Sequence, residues 1–346
     1  MTTSGKTLKG GLIGCGFFSQ NHLHAWQQLE GVEIVALCDR DEARLKDTAS
    51  RFGIKRTYQD AAQMLEAEQL DFVDIATTVS THRPLVEMAA AARVACICQK
   101  PLANSIEDGQ AMIDACARAG VPLMVHENFR WQTPIQKVRE VLNQNAIGEP
   151  FWGRVSFRSA FDVFSGQPYL ATDKRFILQD LGIHIIDIAR FLFGEATVVS
   201  ANTRRVNPKI QGEDVATLLL THATGITSVV DCSYATALPT ELFPQTLLEI
   251  DGSHGSLRLQ ADYQLVIHRR GGETQTIRCE PPLHSWAERP WHNIQDSVLN
   301  IQAHWISCLR DVKEPQTSGA DNLRTLKLVY AAYDSADSLQ KAISLQ

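Results

Sequence analysis

Five short apolar runs, each followed by a longer stretch of helical periodicity, fill the first 125 residues of the chain. The runs cover residues 8–13, 33–38, 72–76, 94–98 and 122–125. Between them lie amphipathic segments at 19–29, 41–52, 60–66, 83–92 and 105–119. Strand, helix, strand in regular succession predicts parallel strands joined by right-handed crossovers. The runs are apolar throughout rather than alternating, as strands covered by helices on both faces should be. The expected fold of this part is α/β, a Rossmann-type doubly wound parallel sheet.

After residue 125 the rhythm changes. A helix is predicted over 135–143, a strand over 151–159, a long loop over 161–178 and another helix near 180–192. Strand candidates then follow one another at 197–202, 215–221, 226–233, 246–250, 256–259, 264–269 and 274–278. Gly225, Gly252, Gly255 and Gly271-Gly272 punctuate them as turns. Helices return over 294–310 and 322–341. This pattern predicts an α+β domain with a large, open, mostly antiparallel sheet. A length of 346 residues suits two domains, expected at 1–126 and 127–346.

Composition narrows the function classes. With 44% hydrophobic and 21% charged residues the chain is an ordinary globular protein. A net charge of −6 and the lack of a basic run argue against nucleic acid as a partner. No apolar run reaches the roughly 18–20 residues of a membrane span, so no membrane partner is expected. Lys6, Lys9 and the stretch after them mimic the start of a signal peptide. That stretch is short and broken by glycines, and it lacks a small-residue cleavage site. The eight cysteines are scattered, several in strand-like runs. They read as reduced, buried thiols of a cytoplasmic protein. Cys96 and Cys98 would share a strand face, but no second Cys or His pair stands at zinc spacing, so no metal is expected.

Gly14-Cys15-Gly16-Phe17-Phe18-Ser19 follows a predicted strand and opens a predicted helix, the context that a dinucleotide fingerprint requires. Gly14 permits the tight turn. Gly16 lets the backbone approach a pyrophosphate seated on the helix N-terminus. Ser19 is small enough for the third position, where helix and strand pack closely. Asp39 closes the next strand. Its carboxylate can accept hydrogen bonds from the adenosine ribose and would repel a 2′-phosphate, which favours NAD over NADP. Arg40 beside it weakens that preference. His22 and His24, two apart on a helix, do not share a face, so at least one is expected in packing or at the surface.

Two further features carry chemistry. Lys100 ends an apolar strand and precedes a proline, at the carboxyl end of a parallel strand where open α/β sheets bind ligands. Asp180, His184 and Asp187 stand at i, i+4 and i+7, one helix face. A histidine between carboxylates suits general acid–base work near neutrality.

Several motifs in order resemble the glucose–fructose oxidoreductase / inositol dehydrogenase / rhizopine-catabolism family over essentially the whole chain. DIATTVSTH, from Asp74 to His82, is similar to the family's D-I-x-T-P-x-x-x-H, with Thr78 where proline is usual. Gln99-Lys100-Pro101 resembles E-K-P, with an amide replacing the carboxylate beside the lysine. HENFRW, from His126 to Trp131, resembles the stretch linking the two domains. Asp180-Leu181-Gly182-Ile183-His184-Ile185-Ile186-Asp187 matches D-x-G-x-H-x-x-D without departure.

The resemblance implies an NAD-dependent dehydrogenase that oxidises a sugar hydroxyl by hydride transfer. Lys100, His184 and Asp180 would be catalytic. Gly14, Gly16, Phe17, Phe18, Asp39, Arg40, Thr77, Thr78, His82, Gln99, Lys100 and Asn128 would hold the cofactor. Lys100, Arg130, Trp131, Tyr169, Arg175, Asp180, His184 and Trp286 would meet the substrate. It also implies a homo-oligomer, dimer or tetramer, with the second domain serving substrate binding and assembly. Within the family, GCGFFSQNHLHAW and RFILQDLGIH are similar to members that oxidise the branched pentose D-apiose at its anomeric carbon to the lactone. The alternatives are an inositol or other polyol dehydrogenase, an NAD-dependent glycosidase, and a non-catalytic NAD-binding sensor.

Overall fold

In the computed structural model, which describes residues 6–345, the apolar runs of the first third become parallel strands. They are β1 (Leu8–Ile13), β2 (Val32–Cys38), β3 (Arg56–Tyr58), β4 (Phe72–Ile75), β5 (Ala95–Gln99) and β6 (Leu123–His126). Their order is β3-β2-β1-β4-β5-β6, and every pairing is parallel. The order reverses between β1 and β4, the switch point at whose carboxyl ends such sheets bind ligands. The connecting helices are α1 (Ser19–Gln28), α2 (Glu42–Phe52), α3 (Ala61–Ala67), α4 (His82–Ala91) and α5 (Ile106–Ala119). Asp41, Asp60 and Ser105 fix the starts of α2, α3 and α5 by accepting backbone N–H groups of the first turn. The strand β3 carries no apolar run: it has three residues, two of them exposed. Periodicity therefore did not predict it.

The remaining helices are α6 (Thr133–Asn143), α7 (Ile183–Phe193), α8 (His292–Asp311) and α9 (Gly319–Asp337). Chain contacts divide the molecule into two units. The first runs to Glu127 and takes in Val298–Arg324; the second holds Asn128–Ser297 and continues from Thr325. A single boundary after residue 126 thus gives way to three crossings. Val298–Arg324 joins the first unit through its packing and hydrogen bonds. Trp305, fully buried, meets Phe72 edge-on with ring centroids 6.5 Å apart. Thr317 donates to Val125 O at 2.8 Å, and Arg310 donates to the carbonyls of Glu30 and Gly31.

The second unit is built on a nine-stranded sheet. Its strands are β7 (Pro150–Arg158), β8 (Ala196–Arg204), β9 (Val215–His222), β10 (Thr227–Ser233), β11 (Leu247–Gly252), β12 (Gly255–Gln260), β13 (Gln264–Arg269), β14 (Thr274–Arg278) and β15 (Ile343–Ser344). The order is β14-β13-β12-β11-β7-β10-β9-β8-β15. Only β7 and β10 pair in parallel. Strand β9 alternates as a half-covered strand should, with Ala216, Leu218, Leu220 and His222 buried and the residues between them outward. On one side lies α7, in which ten of eleven residues are buried, His184, Asp187 and Arg190 among them. Its Phe193 ring comes so close to Gly153 of β7 that a Cβ there would sit 2.2 Å from the ring. Sheet and helix touch only because that position has no side chain.

Candidate active site

The nucleotide half belongs to the first unit. β1 ends at Ile13 and α1 starts at Ser19, so the glycine turn stands at the carboxyl end of a central strand. Gly14 has φ +99°, and a Cβ on it would lie 2.5 Å from Ala76 O, so no other residue fits. Gly16 is different: a Cβ there would meet no atom of the chain within 4 Å. Its open side is the approach a pyrophosphate needs. The N-terminus of α1 has no side-chain cap hydrogen bond and no acid in its first turn, an end that suits an anion. The Ser19 hydroxyl is buried and donates to Gly16 O at 2.8 Å, closing the turn. Phe17 is 57% exposed, and Phe18 meets the His22 ring edge-on at 5.5 Å.

Asp39 is held in place by the chain. Its Oδ2 accepts from Cys15 N at 2.7 Å and its Oδ1 from Asp41 N at 2.8 Å. Each oxygen keeps a lone pair for a ribose hydroxyl. Arg44, rather than the exposed Arg40, is the guanidinium near these carboxylates, 3.9 Å from Asp39 Oδ2 and 3.6 Å from Asp41 Oδ2. Burial and the Asp39 charge push the Cys15 thiol up to about 12, so this side chain in the glycine turn stays neutral. The bare helix end, the open glycine and the fixed carboxylate together fit a bound NAD.

The loops after β4 and β5 complete this half. Thr77 is half-buried and Thr78 exposed. The Thr81 hydroxyl lies 2.8 Å from both Thr77 Oγ1 and Thr78 O. His82, expected to touch the cofactor, is buried beneath the loops instead. Its Nδ1 lies 3.1 Å from Pro101 O and 3.3 Å from Leu102 O, and its Nε2 lies 3.2 Å from Thr77 O. It staples two loops together, and its burial lowers its pKa. Lys100 follows β5 and is half-buried. Gln99, also expected at the cofactor, turns its amide to Lys100 N and to His22. His22 is fully buried, whereas His24 lies against Phe52 at 4.8 Å. A cleft lined by Lys9, Trp26, Phe52, Arg56 and Glu68 opens at the amino ends of the strands and contains none of the predicted site residues.

The histidine half belongs to the second unit. Here the expected single helix is two pieces: Asp180 sits in a π-turn, Leu178–Gly182, and α7 begins after it. Such turns are wider than α-helix and recur at functional sites. Glu213 fixes the entry by accepting from Phe176 N at 3.2 Å, Leu178 N at 3.2 Å and the Tyr333 hydroxyl at 2.6 Å. The His184 ring stacks on Phe129, centroids 3.9 Å apart and planes within 7°. Phe129 lies inside the HENFRW motif but was not among the expected site residues. Around Asp180 the acids and phenols influence one another. Asp173 is raised by desolvation and by the Asp180 charge. The Tyr234 phenol is raised by burial and by Asp180. Asp173 and Tyr234 were not among the expected site residues.

Asp187 does not share the environment of Asp180. Its side chain is fully buried, and Arg130 grips both its oxygens, with Nε–Oδ2 at 2.7 Å. The Thr325 hydroxyl donates to Oδ1 at 3.1 Å and accepts from Arg190 Nη1 at 2.6 Å. Arg190 in turn pairs with Glu195. Arg130, expected at the substrate, is thus a buried partner of the histidine helix, with its guanidinium over Phe191 at 5.4 Å.

The other residues expected at the substrate belong to the second unit as well. Trp131 is buried. Arg175 lies over the Tyr333 ring at 4.6 Å, and Trp286 stacks on His284 at 5.8 Å. Tyr169 is 56% exposed and donates to Gln167 Oε1 at 2.7 Å. Asn128, expected at the cofactor, is buried and donates to Ser297 Oγ at 2.6 Å. Among the described residues, no cluster of three or more His, Cys, Asp or Glu could hold a metal. No helix among them is long and apolar enough to cross a membrane. All eight cysteines are free and buried.

Known proteins resemble this chain over nearly its whole length. Residues 8–127 match the oxidoreductase family with an NAD-binding Rossmann fold, and residues 135–258 match the GFO/IDH/MocA C-terminal domain. The chain is 66% identical to a D-apiose dehydrogenase of Paraburkholderia graminis, over 97% of this chain and 89% of that protein. It is 60% identical to a D-apiose dehydrogenase of Rhizobium rhizogenes, over 95% of each. The crystal structure of an oxidoreductase from Agrobacterium radiobacter in complex with NAD+, L-tartaric acid and magnesium shares 58% identity. It superposes with a TM-score of 0.96 over 98% of both chains. The chain therefore belongs to the GFO/IDH/MocA family of NAD-dependent oxidoreductases.

Proposed function

We propose that this oxidoreductase acts on D-apiose, oxidising the anomeric carbon to the lactone with NAD as hydride acceptor. The observation that carries the substrate is the 66% and 60% identity, spread over nearly the whole chain, to two proteins named for that sugar. Relatives named for inositol stand at 26% and 27%.

Bound NAD supplies the hydride acceptor; the chain supplies orientation and proton handling. His184 accepts the sugar hydroxyl proton at a ring nitrogen, and its stacking on Phe129 sets the plane in which it does so. Lys100 donates from Nζ to the same substrate oxygen and stabilises the negative charge that builds there as the proton leaves. Asp180 orients the sugar by accepting from a neighbouring hydroxyl. Tyr169, Trp131, Arg175 and Trp286 are assigned to the wall that receives the sugar. Gly14, Gly16, Phe17, Phe18, Asp39, Thr77, Thr78 and Asn128 are assigned to NAD, with Arg130 and His82 acting from below their respective halves. The reading extends to a cytoplasmic homo-oligomer. Light scattering on the purified chain reads that state.

The test is a panel of D-apiose, other pentoses, hexoses and inositols, followed by absorbance of the reduced cofactor with NAD and with NADP. D-Apiose with NAD should give the highest kcat/KM. A good myo-inositol signal beside a silent D-apiose would overturn the substrate. A bound cofactor that cycles without net reduction would instead indicate an NAD-dependent glycosidase.

A further inference from the structure

We infer that Gln99 is a positioning residue for Lys100 and that its amide fixes the proton of the buried His22 on Nδ1. The inference deepens the proposed function and rests on the assignment of Lys100 made there.

Gln99 is the last residue of β5. Its Oε1 accepts from Lys100 N at 2.7 Å, and its Nε2 lies 3.2 Å from His22 Nε2. A backbone N–H can only donate, so the carbonyl end of the amide must face Lys100. The NH2 end then faces His22, and an NH2 can only donate, so His22 Nε2 must accept. The ring proton is left on Nδ1, which lies 2.8 Å from Asp74 Oδ2. That same oxygen accepts from Trp26 Nε1 at 2.8 Å. Each link has one direction: Lys100 N–H to Gln99, Gln99 to His22, His22 to Asp74.

The chain of bonds cannot drift. The His22 and Asp74 side chains are fully buried. His126 stacks on His22 at 4.0 Å with planes within 20°, and Phe18 closes the ring's edge at 5.5 Å. Asp74 and His22 come from β4 and α1, 52 positions apart, and Gln99 from the neighbouring strand β5. The backbone from which the Lys100 side chain departs is therefore tied to three elements of the sheet core. A buried, fully directed network of this kind specifies one geometry, because reversing any member leaves two donors or two acceptors opposed. With glutamate in place of Gln99, a carboxylate would accept both from Lys100 N and from His22. His22 would then need a proton on Nε2 as well.

The test uses full-length protein with NAD bound, labelled with 15N at histidine, and a His22→Gln variant to identify the resonance. In the wild type, His22 Nε2 should appear as an unprotonated ring nitrogen and Nδ1 as a protonated one. In Gln99→Glu, Nε2 should become protonated. A protonated Nε2 in the wild type would mean that the amide is reversed, and would overturn the inference. Kinetics reads the positioning role. Gln99→Leu, which removes the acceptor for Lys100 N, should lower kcat about tenfold or more with little change in KM for NAD. Gln99→Glu, which keeps that acceptor, should lose less kcat and change the pH profile. Equal losses in the two variants, or none in Gln99→Leu, would remove the positioning role. The two readings separate cleanly. If Lys100→Met keeps full turnover, the catalytic assignment falls, while the histidine resonances still report on the tautomer.

Discussion

The candidate residues of the two units are held by different means. In the first unit the nucleotide half is made mostly of backbone: a glycine turn, a bare helix end, and a carboxylate pinned by two N–H groups. In the second unit the histidine half is made of side chains: a ring stacked on Phe129, and an Asp187 carboxylate held by Arg130 and Thr325. Backbone sites tolerate change where space allows and fail where the turn itself is strained. Side-chain sites depend on partners brought together from distant parts of the chain. The difference predicts opposite patterns of damage.

The largest effects should come from the reacting groups. Lys100→Met removes the donor to the developing charge and should lower kcat about 10³-fold. His184→Asn removes the base and should lower it by between about 10² and 10⁴. Both variants should bind NAD nearly as the parent does, measured by cofactor fluorescence, because neither touches the glycine turn or Asp39. Loss of NAD binding with either would show that the division into halves is wrong.

Next comes the support beneath His184. Arg130→Met strands the buried Asp187 carboxylate, and breaking one side of such a pair costs about 3–5 kcal/mol. Denaturant unfolding should show that loss. If the variant is as stable as the parent, the grip of Arg130 on Asp187 contributes nothing to the second unit.

The glycine turn offers the sharper contrast. Gly14→Ala forces an L side chain to φ +99° and drives its Cβ against Ala76 O. It should destabilise the protein by about 1–3 kcal/mol or more and lose NAD. Gly16→Ala meets no atom of the chain, so it should melt as the parent does yet bind NAD at least about tenfold more weakly, since its methyl occupies the approach of the pyrophosphate. Equal effects in the two variants would remove the distinction between a turn glycine and a ligand glycine. Asp39→Ser should act more mildly, lowering NAD affinity about tenfold as hydrogen bonds to the ribose are lost and raising the NADP-to-NAD ratio.

The same contrast explains what the sequence disclosed. Glycine identity, strand rhythm and the acid closing β2 are local signals, and each lies where the nucleotide half is built. Motif order also singles out Lys100, Asp180 and His184 as candidates. What stayed hidden was pairing at a distance. Arg130 and Asp187 are 57 residues apart, Gln99 and His22 are 77 apart, and no period encodes either. The π-turn at Leu178–Gly182 was invisible for another reason: its residues carry ordinary helical patterning, and its entry is held by Glu213, 35 positions from Leu178. Return of Val298–Arg324 to the first unit depends on Trp305 finding Phe72, again a matter of tertiary packing.

The smallest expected effect compares the two units through their buried histidines. His82 in the first unit and His222 in the second are both lowered, by burial above all. His222 Nδ1 lies 2.8 Å from Gly194 O and Nε2 2.8 Å from Ser228 Oγ, so the neutral ring is satisfied where it stands. With a folded pKa below the unfolded one, each histidine takes up a proton on unfolding as the pH falls past the unfolded value near 6.5. Stability from each is complete above that value and is lost as the pH drops toward the folded pKa, by at most about 1.4 kcal/mol per pH unit. The melting temperature should therefore fall between pH 7.5 and 5.5. His24 and His292 shift in the same direction, so the informative measurement is the slope of each variant against the parent. His222→Gln and His82→Gln should each flatten the fall. If only one does, proton uptake on unfolding belongs to one unit; if neither does, these two rings are not what makes the protein sensitive to acid.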